Sequence, residues 1–151
     1  MNLLMNQIPT DFSALKLRAN PFIDRLGPLY GKREQGGLVL GLQIEERHCN
    51  PGGSCHGGML MTLADMLLLL NANAQTGIAQ FMVTVNLTCD FVGPAVQGNW
   101  IEGRASVLKA SKNMIFVNGL FAVGSTAVTR VNGIFKPTGE PNPAFSADTI
   151  F

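Results

Sequence analysis

Asp65 is the only Asp, Glu, Lys or Arg in the 41 residues from Cys49 to Cys89. It sits in Gly57–Gln75, where Met59, Leu60, Met61, Leu63 and Met66 to Leu70 cover nearly every face of a helix, and a helix apolar all round must be enclosed. A buried, unpaired carboxylate is expensive, so this acid needs a reason. One reason is acid–base or nucleophilic chemistry. The plainer one is a packing role, with Asp65 accepting hydrogen bonds from Thr62 or nearby backbone.

Cys55-His56-Gly57-Gly58 marks the start of the same helix. Helix N-termini present unpaired N–H groups and partial positive charge, which suit an oxygen that becomes negative during acyl transfer. Glycine lets a substrate carbonyl approach the backbone closely, although Gly57-Gly58 can equally be where the chain simply turns into the helix. Asp65 lies eight residues beyond Gly57, or about 12 Å along the axis, so one helix cannot present both groups to one carbonyl. A site using both requires Gly57 from one chain and Asp65 from another, and a two-fold dimer makes two such sites.

Other chemistries fit less well. HCNPGGSCH holds both His and two of the three Cys, but His48-Cys49 and Cys55-His56 are adjacent pairs, unlike the usual zinc-ligand spacings. Gly52-Gly53-Ser54-Cys55-His56 resembles a nucleophile elbow but ends in His, and no His follows His56 to complete a Ser-His-Asp triad. Phosphate-binding and dinucleotide-binding glycine signatures are absent.

The elements that must position these groups follow from periodicity. Thr10 or Asp11 can cap a short helix through Ala19, with Phe12, Leu15 and Ala19 on one face and Asn20-Pro21 as its stop. Leu38, Leu40, Leu42 and Ile44 alternate along a strand over 37–45, with Leu29 to Glu34 as hairpin partner across Gln35-Gly36-Gly37. After the helix, Phe81, Val83, Val85, Leu87, Cys89 and Phe91 alternate with polar or smaller residues, and Cys89 reads as a small core residue. Trp100–Lys109, Met114–Val123 and Thr126–Lys136 complete an antiparallel meander of four strands, with turns at Ser111-Lys112-Asn113 and Gly124-Ser125. From Pro137 the chain reads as a loop. The pattern implies one α+β domain over 1–151: a core of about 28–137, an N-terminal helical appendage over 1–27 and a tail over 138–151.

Composition supports burial against a partner. The 151 residues are 46% hydrophobic and 14% charged, below the roughly 25% charged residues of ordinary domains. A net charge of +1 and a pI near 7.7 disfavour nucleic acid as partner. No uninterrupted apolar run reaches the length of a membrane span, because Asp65 breaks the best candidate. The first residues lack a secretory pattern and the Cys number is odd, so a cytoplasmic protein without a disulfide framework is expected.

At Asn50, His56-Gly57-Gly58 and Asp65, the string NPGGSCHGGMLMTLAD resembles the helix-start motif of hotdog-fold acyl-CoA thioesterases. It is most similar to the phenylacetate-degradation thioesterases and the mammalian thioesterase-superfamily member 2 group. The order of elements from Pro28 to Pro137 matches that fold, a curved antiparallel sheet wrapped around one long helix. The resemblance implies that Asp65 is general base or nucleophile and that the Gly57 N–H polarises the thioester carbonyl, beside Gly58 in the substrate site. It further implies that Asn50 holds a water or the thioester region and that His56 shapes the turn. A Ser or Thr on the strand after the helix often assists the carboxylate in this branch. Aligned through TVNLTCDFVGPA, that residue is Thr84, for which a cross-strand hydrogen bond is the alternative role.

An acyl-CoA substrate would need basic residues for its phosphates, and Arg104, Lys109, Lys112 and Arg130 are the candidates. Hotdog hydratases place a catalytic His differently, and Leu70 occupies the position five after Asp65, so hydrolysis is preferred over hydration. The expected protein is therefore a hotdog thioesterase, dimeric at least and tetrameric by expectation. It would use neither metal nor other cofactor, and bind neither nucleic acid nor membrane. A non-catalytic hotdog module that binds an acyl or aromatic ligand is the alternative.

Overall fold

The computed structural model describes residues 8–151. In chain order the elements are β1 (Ser13–Ala14), α1 (Pro21–Asp24), β2 (Tyr30–Glu34), β3 (Gly37–Gln43), α2 (Gly57–Thr76), β4 (Phe81–Phe91), β5 (Trp100–Ala110), β6 (Ile115–Val123) and β7 (Thr126–Thr138). The strands form one seven-stranded antiparallel sheet in the order β1-β2-β3-β5-β6-β7-β4. This sheet packs around α2, giving the α+β hotdog architecture that the sequence implies.

Close approach of helix to sheet depends on missing side chains. A Cβ on Gly103 of β5 would stand 2.8 Å from Leu67 Cδ2, on Gly119 of β6 2.9 Å from Leu68 Cδ2, and on Gly133 of β7 2.7 Å from Leu68 Cδ1. Three neighbouring strands thus leave a trough into which Leu67 and Leu68, both fully buried, insert. Two polar residues lock the helix in place. Asn71, also fully buried, accepts from the Leu38 N–H (3.1 Å) and donates to the Leu38 carbonyl (3.0 Å), mimicking a strand partner for β3. Gln75 pairs with the Ala105 carbonyl (2.8 Å) and the Val107 N–H (2.9 Å), next to the bulge that offsets β5 from β6.

The β2–β3 hairpin forms as expected, with Gln35 and Gly36 both at positive φ (47° and 78°) in a tight turn. The N-terminal helix does not form where expected. Asn20-Pro21 starts a helix instead of stopping one: Asn20 Oδ1 accepts from the Ile23 N–H at 3.3 Å and Pro21 takes the first helical position, which needs no N–H donor. Upstream, Ser13-Ala14 pair with β2, while Phe12 meets Trp100 edge-on (5.1 Å between ring centroids) on the outer face of the sheet. The first seven residues of the expected 1–27 appendage lie outside the described residues.

The four late strands are also arranged differently from a simple meander. β5, β6 and β7 are sequential neighbours, but β4 pairs with β7 and forms the sheet edge, while β3 pairs with β5. The chain from Pro137 is likewise not a plain loop: β7 runs to Thr138, and two short 3-10 turns, Pro143–Phe145 and Ala147–Ile150, bury Ile150 against the core. Cys89 is half-buried at the rim of the core. By length and composition α2 could cross a membrane, but in this fold most of it is covered by the sheet.

Candidate active site

The loop Cys49–His56 delivers the chain to the start of α2 as a small antiparallel ribbon. Asn50 N–H donates to the Ser54 carbonyl and His56 N–H to the His48 carbonyl (both 2.8 Å), so Cys49 and Cys55 lie opposite each other. Asn50 Oδ1 closes the turn by accepting from the N–H groups of Gly52 (2.9 Å) and Ser54 (3.3 Å), an arrangement that favours Asn or Asp. His48 is buried with both ring nitrogens occupied: Nδ1 accepts from the Glu45 N–H (3.0 Å) and Nε2 bonds the Leu26 carbonyl (2.7 Å). His56 Nδ1 is engaged as well, and among the described residues no group of three or more His, Cys, Asp or Glu is arranged to hold a metal ion.

His56 caps α2. Its Nδ1 accepts from the Gly58 N–H at 2.9 Å, and its carbonyl accepts from the N–H groups of Met59 (2.9 Å) and Leu60 (3.0 Å). Among the described residues, the Gly57 N–H is the one amide of this first turn left without an acceptor. It is a donor at the positive end of a 20-residue helix. The Phe91 ring lies beside it, 3.5 Å from where a Gly57 Cβ would be. The backbone of Gly58 is engaged within the cap: His56 Nδ1 accepts from its N–H and Thr62 Oγ1 donates to its carbonyl (2.9 Å).

Two turns further along, Asp65 is half-buried. It does not bond Thr62. Instead Thr84 Oγ1 donates to Asp65 Oδ1 at 2.6 Å, and among the described residues no partner occupies Oδ2. The contact depends on a bulge in β4. Thr84 pairs with Phe135 and Asn86 with Ile134, so Val85 is an extra residue. Met82 and Thr84 face the helix before the bulge, and Leu87 and Cys89 after it, because the insertion reverses the alternation. Thr84 and Leu87 therefore line the same hollow despite their odd separation.

That hollow, of about 350 Å³, is bounded by Asp65 with Met61, Thr62 and Met66 of α2, by Thr84 and Leu87 of β4, and by Asn20, Phe22 and Ile23. The last three escaped sequence reasoning. Asn20-Pro21 signals a helix boundary, but nothing in the local pattern places that boundary over Asp65. The structure brings Asp65 and Thr84 together, and sets Asn50, His56 and Gly57 in and beside the N-terminal end of the helix, about two turns away.

The four expected basic residues do not line this hollow. Arg104 is held by Glu34 (2.8 Å) and Glu102 (3.2 Å), and these carboxylates raise its pKa further, with Glu34 the larger cause. Arg130 pairs with Asp90 directly across the β4–β7 ladder (2.8 Å). Lys109 lies at the exposed end of β5, and Lys112, in the following turn, borders a hollow with Gln75 and Thr76 at the opposite end of α2 from Gly57.

Comparison with known proteins places this arrangement in a family. The model of the thioesterase superfamily matches residues 52–128, spanning the helix cap, Asp65 and Thr84. A Pseudomonas aeruginosa protein named as an esterase, PA0474, is 39% identical over 132 residues, covering 87% of this chain and 98% of its own. Human acyl-coenzyme A thioesterase 13 is 33% identical over 87 residues, covering 55% of this chain and 59% of its own. Among solved structures, the E. coli PaaI protein from the phenylacetic acid degradation operon shares the fold with a TM-score of 0.72 at 22% identity, over 81% of this chain and 88% of that one. A Streptococcus pneumoniae thioesterase protein solved with coenzyme A has a TM-score of 0.67 at 15% identity, over 74% and 87% of the two chains. The chain belongs to the thioesterase superfamily and is a thioester hydrolase of the hotdog fold.

Proposed function

We propose that the substrate is an acyl-CoA and that hydrolysis takes place between two subunits, with Asp65 of one facing the helix N-terminus of the other. The observation that carries this reading is the Thr84–Asp65 hydrogen bond, which orients a half-buried carboxylate and leaves its second oxygen free to reach a water or the thioester carbon. Asp65 acts as general base on water or as nucleophile, and both routes require its carboxylate. The free Gly57 N–H of the partner subunit then stabilises the oxyanion. Asn50, whose Oδ1 is held in its own loop, keeps its amide donor for a water or the thioester region. His56 serves by shaping the cap.

Subunit sharing is supported by distance and by surface. Gly57 and Asp65 are about 12 Å apart along the helix, so a single chain cannot use both on one carbonyl. β4 has an unpaired outer edge and exposes Val83, Val85 (49% exposed) and Phe91, an apolar edge of the kind that pairs with another chain. The outer face of β5 and β6 exposes Leu108, Phe116 and Leu120, which supports back-to-back association of dimers into a tetramer. Recognition of the CoA phosphates falls to cations that the assembly brings to the site mouth. Among the described residues Lys109 and Lys112 carry no ion pair of the kind that holds Arg104 and Arg130, which leaves their ammonium groups available for that role. The compartment we assign is the cytoplasm.

Asp65→Asn tests the chemistry. Thiol release from an acyl-CoA panel falls by about 10²–10⁴ with the fold retained; full activity would exclude the mechanism. Mixing Asp65→Asn with Gly57→Pro chains and allowing exchange restores part of the activity, because one of the two sites in a mixed dimer is intact. Absence of recovery between folded variants rejects the shared site. A non-catalytic binding module would give saturable acyl-CoA binding without thiol release.

A further inference from the structure

A second hollow, of about 340 Å³, continues from the one at Asp65, and the two share Asn20 and Met66. It runs along the side of α2 that the sheet leaves open, with Leu69 and Leu70 as its floor. Leu17 and the neighbouring N-terminal residues form one wall, and Phe145 with the C-terminal 3-10 turns forms the other. The walls are tied to each other and to the body. Lys16 N–H donates to the Ile150 carbonyl at 2.8 Å, the Arg18 guanidinium lies 4.2 Å from the Phe145 ring centroid, and that ring is 5.8 Å from Phe81 of β4.

The shape and chemistry select the occupant. The α2 side of the groove runs two helical turns, from Met66 through Leu69 and Leu70 to Asn73, and is apolar up to that last residue, so the groove is long and not disc-like. Asn73 stands at its far end with both amide hydrogens committed to the carbonyls of Ile78 (2.8 Å) and Gln80 (3.3 Å), and Arg18, the one charged lining residue, lies over the Phe145 ring in the wall. From Asp65 to Asn73 the helix rises about 12 Å, room for a zigzag hydrocarbon of about eight carbons. Both walls lie outside the residues 52–128 that the family model matches, while the floor on α2 lies within them.

We propose that this groove holds the acyl tail of the substrate, an unbranched apolar chain of about eight carbons, and that the two flanks of the chain set its length. The inference rests on the reading of Asp65 as the site of thioester hydrolysis, because the tail must begin there. Specificity would arise from contacts remote from the reacting carbonyl, with each buried methylene adding to transition-state binding until the groove is full.

The experiment is a series of straight-chain acyl-CoA substrates from two to sixteen carbons, read by thiol release. For the wild type, kcat/KM rises with length to about eight carbons and then levels or falls. Leu69→Trp and Ala147→Trp, which fill the groove from its floor and from its C-terminal wall, each lower the octanoyl-to-butanoyl ratio of kcat/KM at least tenfold. A wild-type series flat in chain length overturns the proposal whether or not the variants fold, and so does an unchanged ratio in variants that melt like the wild type. A wild type that hydrolyses no member of the series overturns the acyl-CoA reading itself, and this proposal with it.

Discussion

Thr84 and Asp65, 19 residues apart in the chain, meet at 2.6 Å between the hydroxyl and Oδ1 of the carboxylate. The helix brings the acid and an edge strand brings the hydroxyl. A one-residue bulge at Val85 reconciles this contact with the inward position of Leu87. If the hydroxyl orients the carboxylate for attack, Thr84→Val lowers kcat about tenfold or more with little change in KM, while Thr84→Ser retains most of the activity. Equal turnover by the valine variant would reduce the contact to packing.

Asn71 predicts a stability effect without a catalytic one. Truncation to Ala leaves both the N–H and the carbonyl of Leu38 buried and unpaired, together with a cavity, so unfolding is easier by about 2–4 kcal/mol. Denaturant or thermal melting measures it. A loss below about 0.5 kcal/mol would mean that β3 finds other partners, at odds with the tight packing around Leu67 and Leu68.

The thiols separate by environment. Burial pushes the Cys55 thiol up to about 12, with Cys49 adding to the shift, while burial raises the more accessible Cys49 less far. Because the thiolate is the reactive species, iodoacetamide at pH 8 modifies Cys49 before Cys55 in the folded protein, and both at similar rates in denaturant. Peptide mass mapping over time reads the order; faster labelling of Cys55 in the native state contradicts the burial described here.

Acid titration reports on the outer face. The Arg104 hydrogen bond holds the Glu34 carboxyl below its ordinary value of 4.5. A depressed carboxyl contributes stability above its unfolded pKa, and this is lost as pH falls through the folded value, so the effect appears below about pH 4.5. The pair is solvent-exposed, and its worth is well under about 1 kcal/mol. Glu34→Gln should therefore narrow the difference between melting temperatures at pH 7 and pH 3 only slightly. A large change would indicate that Glu34 is covered in the assembly.

Much of this protein is legible in local pattern because local physics decides it. The apolar span of Gly57–Thr76, the positive-φ turn before β3 and the period-2 runs of the strands each depend on neighbours a few residues away. The isolation of Asp65 is likewise a property of the linear chain, and helix rise alone separates it from Gly57. What the linear pattern misplaces depends on distant partners. Asn20-Pro21 can stop one helix or start the next, and pairing of Ser13-Ala14 with β2 decides for the start. The alternation along Phe81–Phe91 reads as one continuous strand face, yet the bulge at Val85 splits it, so that Phe81 and Val83 are exposed while Leu87 and Cys89 pack on the core, and β4 pairs with β7 at the sheet edge. The encounter of Thr84 with Asp65, and the placing of Asn20, Phe22 and Ile23 over the acid, were settled only by tertiary packing, since a bulge and a sheet order are determined by the energy of the whole assembled core and leave no periodic trace in the residues that form them.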